Sequence, residues 1–340
     1  MQFNDVLTIK NGRNQRAVEN PNGKYPIYGS GGVMGYADDY ICSANTVVIG
    51  RKGSINNPIF VDRPFWNVDT AFGLEANTDL LMPRYLYYFC KHFNFEKLNK
   101  TVTIPSLTKA DLLKIEIDLP GLPEQQFVVS QLAKIEKFIL LRQQELQKLD
   151  ELVKARFVEL FGDPITNSKR LPTERMELRF NLKAGITTAA DDIHDFEKGR
   201  YEIPCYGGNG IRGYVKEKSY EGNFPIIGRQ GALCGNVQYA TGKFHATEHA
   251  VLVSLLKDDN EVWVYYLLKL MDLYRYHTGA AQPGLSVKTL NTVDVIVADK
   301  CLQDQFAAFV KQTDKSKVVV QKALDEAQTL FDSLMQKYFG

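Results

Sequence analysis

The sequence lacks the features that mark membrane and secreted proteins. Its 340 residues contain no uninterrupted apolar run of about eighteen residues, and no basic segment followed by an apolar one at the start. We therefore expect no membrane span, no signal peptide and a cytoplasmic location.

Cysteine is scarce, and its placement argues against disulfides and metal sites. None of the cysteines forms a C-x-x-C pair or stands at zinc-ligand spacing from a histidine. His245 and His249 have the i, i+4 spacing of helical metal ligands, but their segment has a strand pattern and the first half has no matching histidines. We expect these histidines to form hydrogen bonds at a pocket edge, and we expect reduced thiols at Cys42, Cys90, Cys205, Cys234 and Cys301.

Catalytic motifs are also missing. The chain has no G-x-x-x-x-G-K-[ST] phosphate loop, no paired-proline methyltransferase motif and no H-E-x-x-H sequence. A nucleophile, a base and an orienting group do not recur together in both halves, as duplicated catalytic domains would require. These absences predict a protein that is not an enzyme and carries no cofactor or metal.

The charge is nearly balanced, at a formal net value of +1. Nucleic-acid-binding proteins usually have a basic field that attracts phosphates. The balance therefore predicts weak nucleic-acid binding by this chain alone, unless a partner supplies much of the phosphate contact.

The chain contains a long internal repeat. Matching residues lie 178 positions apart at several places: Tyr28 and Tyr206, Gly35 and Gly213, Gly50 and Gly228, Pro105 and Pro283, Phe161 and Phe339. Gln126-Phe127 matches Gln305-Phe306 with a shift of 179, which places a slip of one residue near that point. The period is far above that of solenoid repeats, so it indicates a duplicated domain with its connector.

Each copy has a section of mixed strands and helices followed by a long helix. In the first copy, 46–49 and 57–61 have the pattern of short strands, and 83–95 is typical of a helix that begins at a proline. Segment 262–276 is the expected counterpart of this helix in the second copy. Segments 115–119 and 293–297 are expected to be the closing strands of the two copies. The predicted fold class is α+β, with two duplicated globular domains.

The long helices have sustained heptad patterns. The first seam includes Leu132, Ile135, Ile139, Leu146, Leu149 and Val153, and the second includes Val310, Val320, Leu324, Phe331 and Leu334. Such stripes can be buried against a domain surface, but two matched stripes of equal length favour pairing with each other. Polar residues that interrupt the seams either fix register or face solvent or a partner: Arg142, Arg156, Thr313 and Lys317.

Connectivity then predicts the geometry. Each long helix leads out of one domain, so side-by-side packing that returns the chain is antiparallel and gives a pseudo-twofold arrangement. A helix of about 33 residues is about 50 Å long, comparable to about 15 base pairs. The paired helices would therefore hold the domains apart at a fixed distance.

Two loops recur in both copies and are the candidate binding sites. The first is glycine-rich, at 28–32 and 206–210, and is either a binding loop or a tight hairpin. The second follows a short apolar strand, at 50–53 and 228–231, and its arginine either clamps guanine or phosphate or packs within the turn. The candidate DNA contacts are Ser30, Arg51, Lys52, Asn209, Arg212, Arg229 and Gln230.

The sequence resembles the specificity subunits of type I restriction-modification systems over essentially its whole length. The resemblance rests on the duplication, on the two loops, on the segment 119–126 (LPGLPEQQ) that opens the first long helix, and on 161–164 (FGDP) that closes it. The second long helix departs from this pattern, because its opening segment 300–305 has no prolines.

The resemblance implies two target-recognition domains that each read part of a split double-stranded DNA target. It assigns 1–121 and 163–301 to these domains, and 122–162 and 302–340 to long helices that dock partners. The implied partners are two methyltransferase subunits, which bind S-adenosylmethionine, and restriction subunits, which use ATP and Mg. Two other readings remain: a stand-alone coiled-coil scaffold whose duplicated domains bind protein or another ligand, and an enzyme that acts without partners.

Overall fold

The computed structural model describes residues 1–100, 104–279 and 283–340. The chain divides into two compact units. The first contains Met1–Gln143 and Gln321–Gly340, and the second contains Gln144–Val320. In the described part of the chain, no helix is both long and apolar enough to cross a bilayer.

The first unit is built on an antiparallel four-stranded sheet. The strand order is β1-β7-β4-β5, and a smaller sheet has the order β3-β2-β6 with β2 and β6 parallel. Its elements are α1 (Phe3–Val6), β1 (Leu7–Asn11), β2 (Tyr25–Gly29), β3 (Gly32–Ala37), β4 (Thr46–Gly50), β5 (Ile59–Val61), β6 (Trp66–Asn67), β7 (Ala71–Ala76), α2 (Pro83–His92), a 3-10 turn (Phe95–Leu98), α3 (Lys109–Leu112) and the start of α4 (Leu122–Phe161).

The second unit repeats this topology. Its main sheet has the order β9-β16-β13-β14 and its smaller sheet the order β11-β10-β15-β12, so each strand of the first unit has a counterpart. The elements are β8 (Thr173–Arg175), α5 (Met176–Arg179), β9 (Phe180–Ala184), a 3-10 turn (Ala190–Asp192), β10 (Ile203–Gly207), β11 (Gly210–Val215), β12 (Tyr220–Glu221), β13 (Phe224–Gly228), β14 (Val237–Ala240), β15 (Lys243–Ala246), β16 (Ala250–Leu255), α6 (Glu261–Leu270), a 3-10 turn (Leu273–Tyr276), α7 (Val287–Asn291), β17 (Asp294–Ile296) and α8 (Lys300–Phe339). The predicted α+β fold with two repeated domains is confirmed.

Local sequence explains the central strand and the helix that packs near it. All five residues of β4 are buried, and its apolar, β-branched composition suits a strand with no solvent-facing side. Helix α2 begins at Pro83, whose missing amide hydrogen is not needed in the first helical turn. In α6 the side chain of Asn260 caps the helix by accepting from the amides of Val262 and Trp263.

The closing strand forms fully in only one unit. In the second, β17 pairs with β8 in antiparallel register. In the first, the expected strand at 115–119 is wrong, because only an isolated bridge joins Glu116 to Gln2. Ile115 and Ile117 are nevertheless buried in the core, and Phe3 N donates to Ile115 O at 2.9 Å and Ile117 N to Met1 O at 2.8 Å, so the segment pairs with the chain over this short stretch alone.

The long helices pack side by side in the cores of both units. In the second unit, the ring of Phe306 near the start of α8 lies 5.4 Å from that of Phe157 near the end of α4. Further along α8, Lys317 Nζ lies 2.6 Å from Asp150 Oδ1, so the two helices run antiparallel there. In the first unit, Leu132 of α4 and Phe331 of α8 belong to one buried cluster.

The heptad seam residues all have low or intermediate exposure. Leu132, Val153, Val310, Val320 and Phe331 are buried, and the half-buried ones are Ile135, Ile139, Leu146, Leu149, Leu324 and Leu334. By contrast, the off-seam residues Leu141, Val318 and Val319 are exposed. Among the polar interruptions, Thr313 is buried and its hydroxyl donates to Phe309 O at 3.0 Å, while Lys317 links the two helices.

The repeat register at the start of the long helices differs from the sequence alignment. Gln125 Oε1 accepts from Met82 N at 2.8 Å, and Gln303 Oε1 accepts from Asn260 N at 2.7 Å. These glutamines are equivalent and lie 178 positions apart. The match of Phe127 with Phe306 is therefore wrong, as their exposures of 56% and 0% also show.

Candidate nucleic-acid interface

The two recurring loops of the first unit lie against each other. The turn after β2 contains Ser30, and the loop after β4 contains Arg51 and Lys52. A Cβ atom on Gly50 would lie 3.1 Å from the Ser30 Cβ and 2.2 Å from the carbonyl oxygen of Ser54. The loops can approach this closely only because residue 50 has no side chain.

The second unit brings its loops together in the same way. A Cβ on Gly228 would lie 1.9 Å from the carbonyl oxygen of Gly208, the residue equivalent to Ser30. The turn conformations are also repeated. Gly32 and Gly210 have φ values of +119° and +103°, and Gly53 and Gly231 have values of +82° and +80°. The glycine-rich loop is thus a tight hairpin. Together with the arginine loop that packs against it, it forms what we call the paired-loop site of each unit.

A third segment completes each site, and sequence reasoning missed its role. Gly53 N donates to Pro105 O and Gly231 N to Pro283 O, both at 3.0 Å. Leu107 N and Leu285 N then donate to the carbonyls of the two arginines, at 2.9 and 2.8 Å. The repeated prolines were the available signal, although a proline match alone does not identify a contact.

The two arginines occupy equivalent places and use little of their hydrogen-bonding capacity. An Nη1 atom of Arg51 donates to Asp69 O at 3.5 Å, and one of Arg229 donates to Glu248 O at 3.4 Å. These contacts are long for N–H···O hydrogen bonds. Since a guanidinium has five donors, each arginine keeps donors for a phosphate or a base while it packs against its own turn.

Of the remaining candidate residues of the second unit, two lie in one surface depression and one lies outside it. Asn209 and Gln230 line a shallow depression of about 430 Å³, whose other lining residues are Gly208, Gly231, Ala232, Leu233 and His249. Asn209 Oδ1 accepts from Asn236 Nδ2 at 2.5 Å, which fixes the amide. Arg212 is exposed on β11 and does not line the depression.

The two histidines have different environments. His245 Nδ1 lies 2.9 Å from Ser219 Oγ and its Nε2 lies 2.8 Å from Thr188 Oγ1, so both ring nitrogens have hydroxyl partners. Burial lowers the pKa of His245 below its ordinary value of 6.5. His249 lies at the rim of the depression, and its Nε2 is 3.2 Å from Glu248 Oε1.

The cysteines are described by their burial and by the pKa of their thiols. Cys42, Cys90, Cys205 and Cys234 are buried and Cys301 is exposed, all as free thiols. Burial raises the pKa of Cys205 to about 11, which keeps it protonated. Among residues 1–100, 104–279 and 283–340, no three His, Cys, Asp or Glu side chains gather as a metal site would require.

A protein-family comparison matches both halves of the chain. The family described as "Type I restriction modification DNA specificity domain" matches residues 1–151 and 166–327. The chain is 32% identical over 297 residues to the type I restriction enzyme EcoprrI specificity subunit of Escherichia coli, covering 82% of this chain and 72% of that protein. A putative type I restriction enzyme specificity subunit of Haemophilus influenzae is 27% identical over 106 residues, which cover 30% of this chain and 28% of the relative.

Solved structures show the same fold. The S subunit of a type I restriction-modification system from M. genitalium aligns with a TM-score of 0.69 at 20% identity, covering 100% of this chain and 95% of that one. A chain from a study of complex assembly and conformational transition in the type I R-M system aligns with a TM-score of 0.57 at 15% identity, covering 100% and 96%.

Proposed function

Because the chain belongs to the type I restriction modification DNA specificity family, we propose that its two units each read one half of a bipartite double-stranded DNA target. Family membership makes the chain a specificity subunit, which is not itself an enzyme. Its proposed task is sequence choice on behalf of a methyltransferase and an endonuclease.

The observation that supports this proposal best is the paired-loop site that recurs in both units. Each site places an arginine at the same position of the same turn, beside a residue that differs: Lys52 in the first and Gln230 in the second. Arginine can bind guanine or phosphate, lysine suits phosphate, and glutamine suits adenine. Two units that recognise different half-sites require this combination of the same backbone arrangement with different side chains.

The other proposed contacts differ between the units as well. Ser30 occupies the turn after β2 in the first unit, while Asn209 and Arg212 are on the equivalent hairpin of the second. Gly31 and Met34 hold the positions that correspond to Asn209 and Arg212. The second unit therefore offers more polar hairpin side chains to a DNA major groove than the first.

The proposed partners are two methyltransferase subunits, which bind S-adenosylmethionine, and restriction subunits, which use ATP and Mg. The long helices α4 and α8 and their seam are proposed to support docking, within the boundaries 122–162 and 302–340. The net charge of +1 leaves much of the phosphate contact to these partners. The proposed place of action is the cytoplasm.

The test is a methylation map of the complex assembled with its methyltransferase. Replacing Arg229 and Gln230 by Ala should change the recognised bases in one half of the target and leave the other half intact. Arg175→Ala, an exposed arginine of β8 in the same unit, is the control that should leave both halves intact. An unchanged map would contradict the residue assignment, and failure of the assembled complex to bind any duplex would favour a scaffold that binds protein or another ligand.

A further inference from the structure

The arginine loop of the second unit is one residue longer than that of the first. In the first unit, Val48 of β4 pairs with Ile59, and in the second, Ile226 of β13 pairs with Gln238. The β4 and β13 residues are 178 positions apart, whereas their partners are 179 apart. The extra residue therefore lies between β13 and β14.

Hydrogen bonds locate the insertion at the tip of the loop. Ile55 N donates to Gly53 O at 2.9 Å, and Cys234 N donates to Gly231 O at 3.0 Å, so Cys234 takes the place of Ile55. Both residues are buried, at 1% exposure each. In the first unit one residue, Ser54, separates the glycine from the buried residue that follows the loop. In the second unit two residues, Ala232 and Leu233, separate them.

Leu233 is the projecting residue of this insertion. Its exposure is 54%, although the next residue is completely packed. Leu233 O accepts from Asn236 N at 3.1 Å, and Gly235 N donates to Gly228 O at 2.7 Å. Hydrogen bonds on both sides of the buried Cys234 therefore fix the turn and hold the side chain of Leu233 outward.

The surroundings of Leu233 identify a chemical class of ligand. It lines the same depression as Asn209 and Gln230, so an apolar side chain and two amides face one space. The major-groove edge of an A·T pair has the matching groups: adenine N6 donates to the oxygen of a side-chain amide while N7 accepts from its nitrogen, and thymine carries an apolar C5-methyl group. A G·C pair has no such methyl group.

On the basis of the proposed DNA-reading role, we propose that Leu233 is a specificity-determining residue that contacts a thymine methyl in the half-site read by the second unit. Gln230 reads an adenine close to that thymine in the same half-site. The first unit has no counterpart to this contact, because the place of the insertion is occupied by Ser54 alone. The two units therefore differ in apolar as well as polar readout.

Uracil substitution tests this contact, because uracil lacks only the methyl group. The full chain, assembled with its methyltransferase, is titrated with target duplexes in which each thymine of the second half-site is replaced by uracil in turn. Burial of one methyl group corresponds to about fourfold in affinity. One position should show a loss of this size with the wild-type chain, and Leu233→Ala should reduce that loss to within about twofold.

Leu256→Ala is the matched control. Leu256 is 56% exposed and follows the far end of β16, the strand whose other end adjoins His249 at the depression. This variant should keep the full uracil effect. Complexes with both variants should assemble as the wild type does, since both side chains are largely exposed.

Three results would decide against the proposal in different ways. If the wild-type complex selects no duplex, the DNA-reading function itself fails. If it selects a target but no uracil substitution weakens binding, or the loss persists in Leu233→Ala, the thymine contact is wrong while the function stands. If Leu233→Ala weakens assembly with the methyltransferase and leaves the uracil effect intact, Leu233 is a protein contact.

Discussion

Arg179 and Asp259 form a buried ion pair in the second unit. Arg179 Nη2 lies 2.5 Å from Asp259 Oδ1 and 2.7 Å from Oδ2, and the two side chains are 8% and 2% exposed. Gln303 Nε2 also donates to Asp259 Oδ1, at 2.9 Å. Val6 ends α1 as Arg179 ends α5, and Leu81 precedes Met82 as Asp259 precedes Asn260, so these two residues hold the equivalent positions of the first unit, and both are completely buried. One unit therefore uses an ion pair where its counterpart uses apolar packing.

Asp259→Ala should destabilise the second unit strongly, because it leaves a buried guanidinium with only Glu174 as a charged partner. Breaking such a pair typically costs about 3–5 kcal/mol in the free energy of unfolding. The measurement is urea unfolding followed by tryptophan fluorescence in a Trp66→Phe background, where Trp263 reports the second unit alone. The double variant Arg179→Val with Asp259→Leu, which copies the first unit, should recover most of the loss. A double variant as unstable as Asp259→Ala would contradict this account.

Gln125 and Gln303 should each stabilise the start of a long helix. Gln125 is completely buried, and it bonds to Met82 N, Leu80 O and Pro120 O, all at 2.8 Å. Gln125→Ala leaves these backbone groups without partners, so we expect a loss of about 1–3 kcal/mol in the free energy of unfolding. Gln126→Ala, an exposed neighbour, is the control and should have little effect. Equal losses in the two variants would show that the hydrogen bonds are not responsible.

The sequence was sufficient for the duplication, because glycine and proline matches mark turns that backbone geometry requires. The paired loops followed from the same matches, since Gly50 and Gly228 permit the close approach. Side-chain identity misled the alignment once. Phe127 and Phe306 share a residue type, but the heptad position that is buried in the first unit belongs to Val128, at 3% exposure.

Other features of the site were not accessible from local patterns. The segment around Pro105 joins the arginine loop through backbone hydrogen bonds, which leave no residue-type signature. Arg179 and Asp259 are 80 residues apart, and nothing in either neighbourhood predicts their pairing. Comparison of the two halves by sequence did not place the one-residue insertion at Leu233. The spacing between equivalent residues returns to its earlier value further along the chain, so the insertion became visible only when the strand pairing was known.

His245 makes the stability of the second unit depend on pH. Its pKa is lowered in the folded state by burial, while the unfolded ring titrates near the ordinary value of 6.5. Below that value the unfolded state takes up the proton first, so stability is greatest above about pH 6.5 and decreases as the pH falls. Denaturant unfolding from pH 7.5 to 5 should show this decrease, and His245→Gln should flatten it. A His249→Gln control separates the two rings, and an unchanged slope in His245→Gln would exclude this origin.

Gly228 should be essential for the paired-loop site without being a contact residue. A methyl group at this position would lie 1.9 Å from Gly208 O, so Gly228→Ala forces the two loops apart. We expect loss of selectivity for one half of the target and retained selectivity for the other, in competition binding with half-site variants. Gly207→Ala adds a methyl whose nearest neighbour is 3.7 Å away, an ordinary contact, and should leave binding unchanged. Equal behaviour of the two variants would contradict a role for loop approach.

Arg229 can bind a base or a phosphate, and the dependence of binding on salt distinguishes the two. If it binds guanine, Arg229→Ala should cost about 1–3 kcal/mol against the correct base pair and reduce discrimination at one position. If it clamps a phosphate, affinity should fall uniformly across sequences, and the slope of log affinity against log salt should become shallower by about 1. The half-buried guanidinium and its weak bond to Glu248 O, at 3.4 Å, favour a directed contact with a base edge, so we expect the first result. Arg212→Ala, an exposed arginine of the same unit, supplies the comparison: if both variants change only the salt slope, neither arginine reads sequence.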